Sequence, residues 1–171
     1  DQALTDAANA HATAQQIGEL EVAKANGSLS PEQLRSASEA VLACVRAAGA
    51  STSAMTDRDS LGLSWPSYTV TAPTGMTDED FEPLYRDCEM KNRSFIVYVY
   101  GNQPAAREAL GAALSEHEIE LKQCLEDMGG RNIDDMTLNE LWGALKDQSF
   151  GGQDYGYSQD KDCIIDAGIN W

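Results

Sequence analysis

Ala43-Cys44-Val45-Arg46-Ala47-Ala48-Gly49 and Gln123-Cys124-Leu125-Glu126-Asp127-Met128-Gly129 are two copies of one pattern: a cysteine, an apolar residue directly after it, and a glycine five positions on. Glycine enters the left-handed region without a Cβ penalty, so it is the usual residue just past a helix end. Each copy therefore reads as a helix stop, with its cysteine one turn before the close. A second cysteine follows each copy, Cys88 after 44 positions and Cys163 after 39. Four cysteines allow three connectivities. The repeat favours Cys44–Cys88 and Cys124–Cys163, one bridge inside each copy. An even, dispersed set of cysteines without a CxxC pair fits an oxidising compartment, not a zinc ribbon or a thioredoxin-type site.

Working outward from the first copy, Ser30-Pro31-Glu32-Gln33 is a helix start. Serine caps, proline suits the first helical position, and Gln33 completes a capping box. Leu34, Ala37, Val41, Leu42, Val45 and Ala48 then trace one face. Upstream, residues 3 to about 25 are alanine-rich and read as one helix stopped at Asn26-Gly27. Its apolar face is weak, which predicts a peripheral position. Downstream, residues 50–64 are polar and read as a loop, and 67–72 as a short edge strand. Thr77-Asp78-Glu79-Asp80 opens a helix toward Cys88, with Phe81, Leu84 and Tyr85 facing inward and Pro83 delaying its start.

Before the second copy, Phe95-Ile96-Val97-Tyr98-Val99-Tyr100 suits a buried strand by propensity and a helix by position, and residues 94–103 stay open between the two. From Pro104, Leu110, Leu114, His117, Leu121, Leu125 and Met128 line one continuous helical face up to Gly129-Gly130. Thr137-Leu138-Asn139-Glu140 starts another helix with a capping box. After it come a Gly/Tyr/Asp-rich stretch, Phe150 to Tyr157, and a tail in which Ile164 and Ile165 reach the core. The expected fold class is α+β, mainly helical: two helical Cys–Gly units with short strands, each stapled by one disulfide. Residues 1–171 form a single domain with an internal pseudo-repeat, 30–88 and 104–165.

Composition narrows the function classes. The net charge is −16, from 28 acidic and 12 basic residues. Such a surface repels nucleic acid, whose binding is dominated by Lys and Arg on phosphates. There is no transmembrane stretch. The opening Asp1-Gln2-Ala3 reads as a mature or trimmed start from which a signal or lipid-anchor segment has been removed.

Cys44 with Gly49, Cys88, Cys124-Leu125 with Gly129, and Cys163 resemble the pattern of a broad group of uncharacterised secreted or lipid-anchored actinobacterial proteins. That group carries Cys-(Leu/Met)-x-x-x-Gly helix ends, each followed by a later partner cysteine. Tyr100 and Gln103 resemble the group's aromatic followed three residues later by Gln, which implies helix over 94–128. The resemblance spans about residues 30–165. It implies export and a cell-envelope setting, and it brings no activity.

Candidate sites are few. The histidines are His11 and His117, and Ser115-Glu116-His117-Glu118 supplies only one of the two that a zinc-peptidase helix needs. No Gly-x-Ser-x-Gly elbow and no phosphate loop occur. Asp57-Arg58-Asp59 and Asp154 to Asp162 miss the EF-hand spacing, so no metal site and no cofactor is expected. The stretch singled out for binding is Trp142, Phe150, Asp154, Tyr155 and Tyr157, with Trp171 nearby. Tyr and Trp offer large, rigid contact area to a sugar or a partner. The competing reading makes these aromatics a satellite of the core. The functional expectation is an exported cell-envelope or surface protein of non-catalytic binding type, its partner an unknown protein or glycan. The alternative is a carboxylate-dependent hydrolase acting on cell-wall or host glycans. Cation binding is a third, weaker reading.

Overall fold

In a computed structural model of the protein, the described residues are 1–60, 62–130, 132–149, 163–167 and 169. They form a mainly helical fold with short antiparallel strands and two disulfides, Cys44–Cys88 and Cys124–Cys163. The chain divides into two compact units, residues 1–59 with 63–106 and residues 60–62 with 107–171.

The first unit starts with α1 (Gln2–Asn9) and α2 (Ala14–Asn26) where the sequence suggested one helix. His11 makes the break. It sits at φ 56, its N–H donates to the Ala8 carbonyl, and the Ala12 N–H donates to the Ala7 carbonyl. That is a Schellman end built on histidine in place of glycine. Thr13 then caps α2 through Oγ1. The pair is not peripheral either: Ala7, Leu20 and Ala23 are buried with Leu29, Leu34, Ile96 and Tyr100 in one cluster. Small side chains let these helices approach closely, which compensates for a thin apolar stripe.

α3 (Pro31–Ala47) carries the Ser30–Gln33 capping box and buries Leu34, Ala37, Ser38, Val41, Leu42 and Val45. At its end the Gly49 N–H donates to the Arg46 carbonyl and the Ala50 N–H to the Val45 carbonyl, with Gly49 at φ 91. Residues 50–64, read as a loop, contain strands. β1 (Ser51–Thr52) pairs antiparallel with β4 (Val70–Thr71), Ser51 opposite Thr71, and β2 (Thr56–Ser60) pairs with β3 (Leu63–Ser67). In β2 the first four side chains are exposed and Ser60 is buried, so the alternation that marks a half-buried strand is missing. The strand expected at 67–72 is thereby split between the end of β3 and β4.

α4 (Asp78–Asn92) begins at its Thr77 cap without delay, and Pro83 is accommodated inside it. Phe81 and Cys88 are buried beside Val41, Val45 and Ala50, with Leu84 and Tyr85 packed against them. The open stretch resolves as helix: α5 (Ser94–Asn102) buries Ile96 and Tyr100. Trp65 meets the Tyr100 ring edge-on at 5.0 Å, and the Tyr100 hydroxyl donates to the Ser64 carbonyl at 3.1 Å. Gln103 Oε1 accepts from the Leu29 N–H at 3.1 Å, which secures the chain just ahead of α3. α6 (Pro104–Glu116) follows, beginning within the first unit's residues and continuing into those of the second.

In the second unit the expected single helix is two, α6 and α7 (Glu118–Asp127), separated at His117. The His117 N–H still bonds to Ala113 and the Leu121 N–H to His117, so the ladder and the apolar stripe run on through the break. α7 ends as α3 does: the Gly129 N–H donates to Glu126, the Gly130 N–H to Leu125, and Gly129 stands at φ 92. α8 (Leu138–Ser149) starts at a Thr137–Glu140 capping box. α9 (Cys163–Asp166) returns a short turn to the core. That core holds Leu114, Leu121, Leu125, Ile133, Leu141, Leu145, Cys163, Ile164 and Ile169.

Candidate functional site

The break between α4 and α5 sets up the densest polar cluster among the described residues. Arg93, at φ −140, ends one helix and precedes the next. Its side chain returns one turn to Glu89, Nη1 to Oε1 at 3.0 Å, and the same Nη1 donates to the Tyr68 hydroxyl at 3.1 Å. Glu89 Oε1 also accepts from the hydroxyls of Tyr68 at 3.1 Å and Tyr85 at 2.8 Å. Both charged side chains are less than one-fifth exposed. Burial, together with the neighbouring Glu89 charge, pushes the Tyr85 phenol up to about 12. Burial likewise raises Tyr68, although the Arg93 cation opposes the rise.

This cluster has the chemistry of an anchor. One carboxylate oxygen with two lone pairs already accepts from three donors, which leaves it no direction toward a substrate. The phenols are held neutral, so neither is a nucleophile near neutral pH. Arg93 Nε is buried and, among the described residues, is the one buried side-chain nitrogen or oxygen without a partner. The cluster ties Tyr68, just past β3, to α4 and to the entry of α5.

Among the described residues, a recess opens on the surface of each unit. The first, of about 250 Å³, has an apolar floor of Leu4, Leu20, Ala23 and Val99, with the Asp1–Lys24 ion pair at its rim. The second, of about 310 Å³, is lined by His117, Glu120, Cys124, Cys163 and Ala167. Here His117 Nδ1 stands 3.6 Å from Glu120 Oε2. Among the described residues, the first recess is lined by one carboxylate, Asp1, and the second by one, Glu120. Among the described residues, neither recess brings together the facing carboxylate pair that glycoside hydrolysis uses.

Of the residues singled out for binding, Trp142 lies on α8, half buried against the core of the second unit. Phe150, Asp154, Tyr155, Tyr157 and Trp171 lie outside the described residues, as does the Asp154–Asp162 stretch. Asp57 is occupied by Arg35, Oδ1 to Nη1 at 2.6 Å. Among the described residues no group of three or more His, Cys, Asp or Glu side chains is placed to hold a metal ion. Sequence reasoning passed over Tyr68, Glu89 and Arg93. The Glu89–Arg93 spacing of one helical turn was its only trace, and Tyr68 comes from a loop no spacing could connect to it.

Compared with protein-family models, curated proteins and solved structures, the chain matches none.

Proposed function

We propose that the protein is exported and acts at the cell envelope or cell surface as a non-catalytic binding protein, its partner a protein or a glycan. The observation that carries the reading is the doubled lock on both Cys–Gly helix ends. At Cys44 and at Cys124 the same helix terminus is closed once by a Schellman pair of hydrogen bonds and once by a disulfide. Bridges of this kind persist where the surroundings are oxidising. They stabilise a chain whose core relies on small residues such as Ala7, Ala23 and Ala37. Glu89 Oε1 is already engaged by Arg93, Tyr68 and Tyr85, which favours a structural role for that cluster over hydrolysis. No helix among the described residues is long and apolar enough to cross a membrane. The resemblance to secreted and lipid-anchored actinobacterial proteins supports the same setting.

Thiol trapping of the endogenous protein in fractionated cells tests this. The expected result is a protein in the envelope or extracellular fraction with all four cysteines oxidised, and sedimenting with purified envelopes. A cytosolic pool with free thiols overturns it.

A further inference from the structure

The chain passes from its first unit to its second between Ala106 and Arg107, inside α6. Residues 104–109 are held there by little. Among the described residues, none of the six belongs to an apolar cluster: Tyr100 is buried in the first unit's, and Leu110 packs against the second unit's. Ala106 is buried, Ala109 is half buried, and Pro104, Ala105, Arg107 and Glu108 are exposed. The first amides of a helix have no acceptor within it. Gln103, directly ahead, has its side-chain oxygen engaged by the Leu29 N–H. A helix start with so few tertiary anchors opens locally at a cost well below that of global unfolding.

This weak turn carries a cation that differs from its neighbours. Four basic residues lie between Cys88 and Cys124: Lys91, Arg93, Arg107 and Lys122. Lys91 pairs with Asp87 at 2.7 Å, and its carbonyl accepts from the Thr13 N–H. Arg93 is held in the Glu89 cluster. Lys122 pairs with Glu118 at 2.7 Å and donates to the Asp134 carbonyl at 2.9 Å, on a helix anchored by Leu121 and Leu125. Arg107 is exposed, and among the described residues it has neither an ion pair nor a side-chain hydrogen bond. A trypsin-class endoprotease takes an Arg or Lys side chain onto a carboxylate in its S1 pocket. Of the four, Arg107 is the one that reaches such a pocket without first giving up a partner.

We propose that the Arg107–Glu108 bond is a processing site for an endoprotease of trypsin-like specificity, cut in the folded chain after local opening of residues 104–109. Water adds across the bond. The Arg107 carbonyl carbon takes the water oxygen and becomes a carboxylate, and the Glu108 nitrogen leaves with the bonding pair and is protonated to an ammonium. Nothing is oxidised or reduced. The site belongs to the folded chain itself and does not depend on the compartment the protein occupies.

The test is brief digestion of the oxidised full chain with trypsin, the new termini being identified by mass spectrometry. Cleavage after Arg107 is expected to run about tenfold faster than after Lys91, Arg93 or Lys122, because proteolysis follows the population of the open form. In the chain unfolded and reduced beforehand, this preference disappears. Urea sensitivity scales with the surface an opening exposes, so up to about 1 M urea the Arg107 rate stays nearly constant while the other three rise. Arg107→Gln removes the cut and leaves the other three rates unchanged. Cleavage after Lys91, Arg93 or Lys122 that is equal or earlier overturns the proposal. So does a folded chain left uncut at Arg107, a preference for Arg107 that persists in the unfolded chain, or an Arg107 rate that climbs with urea as steeply as the others.

Discussion

Gln16 and Phe95 are joined across 79 positions of chain by a hydrogen bond that Phe95's own helix cannot supply: the Phe95 N–H donates to Gln16 Oε1 at 3.0 Å. The same side chain donates from Nε2 to the Met90 carbonyl at 2.9 Å, and the Thr13 N–H donates to the Lys91 carbonyl at 2.8 Å. These are backbone groups that the interruption at Arg93 takes out of the helical ladder. The first turn of α2 thus repairs the junction of α4 and α5. Gln16 is 1% exposed, so water cannot replace it.

Substituting Gln16→Leu should leave the part-buried Met90 carbonyl and Phe95 amide without this partner, at about 2 kcal/mol in total. Urea unfolding is the measurement. A loss below about 1 kcal/mol would show that the junction repairs itself by other contacts.

The helix ends invite a contrast of signs. Gly49→Ala and Gly129→Ala each place a Cβ in the left-handed region, at φ 91 and φ 92, and should cost about 1–2 kcal/mol. Histidine already bears that strain at φ 56, so His11→Gly should be neutral or mildly stabilising, measured by the same unfolding curve. Gly130→Ala should be worse than either of its fellows. Its Cβ would lie 2.8 Å from the Leu125 carbonyl oxygen and 2.9 Å from Ile133 Cδ1.

The same residues explain what could be read in advance. Glycine at the close of α3 and α7 leaves a mark in the sequence, and so do the capping residues Ser30, Thr77 and Thr137. The turn at His11 and the breaks at Arg93 and His117 use no glycine or proline, and the break at Arg93 is supported from a distant position, Gln16. Helical periodicity is unchanged across an interruption that keeps its apolar stripe, so one helix and two look alike. The Glu89 cluster was illegible for a related reason. Its third side, Tyr68, arrives from a loop 21 positions upstream.

Removing the bridges one at a time should have nearly equal thermodynamic effects. Replacing Cys44 and Cys88 by serine, or Cys124 and Cys163, removes a constraint on loops of 44 and 39 positions. Chain entropy places each at about 4 kcal/mol. Calorimetry of the two double variants checks this, and a difference greater than about 2 kcal/mol would mean that native contacts set the balance instead.

Alkaline pH should unfold the first unit through its phenols. Tyr68, Tyr85 and Tyr100 are all raised above the ordinary tyrosine value, burial being the leading cause in each. The unfolded chain therefore releases these protons first. Stability is complete below about pH 10 and falls as pH rises through the window that ends, for Tyr85, at about 12. Absorbance at the phenolate band should rise together with loss of helix, and Tyr85→Phe should shift that coincidence. Phenolate appearing well before helix loss would contradict the buried arrangement around Glu89.

The placement of the two disulfides also determines how the molecule responds to proteases. The bridged spans, 44–88 and 124–163, neither overlap nor nest. One cut inside either span leaves a nicked chain that still migrates as a single piece until reductant is added. One cut anywhere from 89 to 123 yields two separate fragments at once, each carrying its own closed ring. A protease thus converts one polypeptide into two internally cross-linked products by where it cuts, without touching a cysteine.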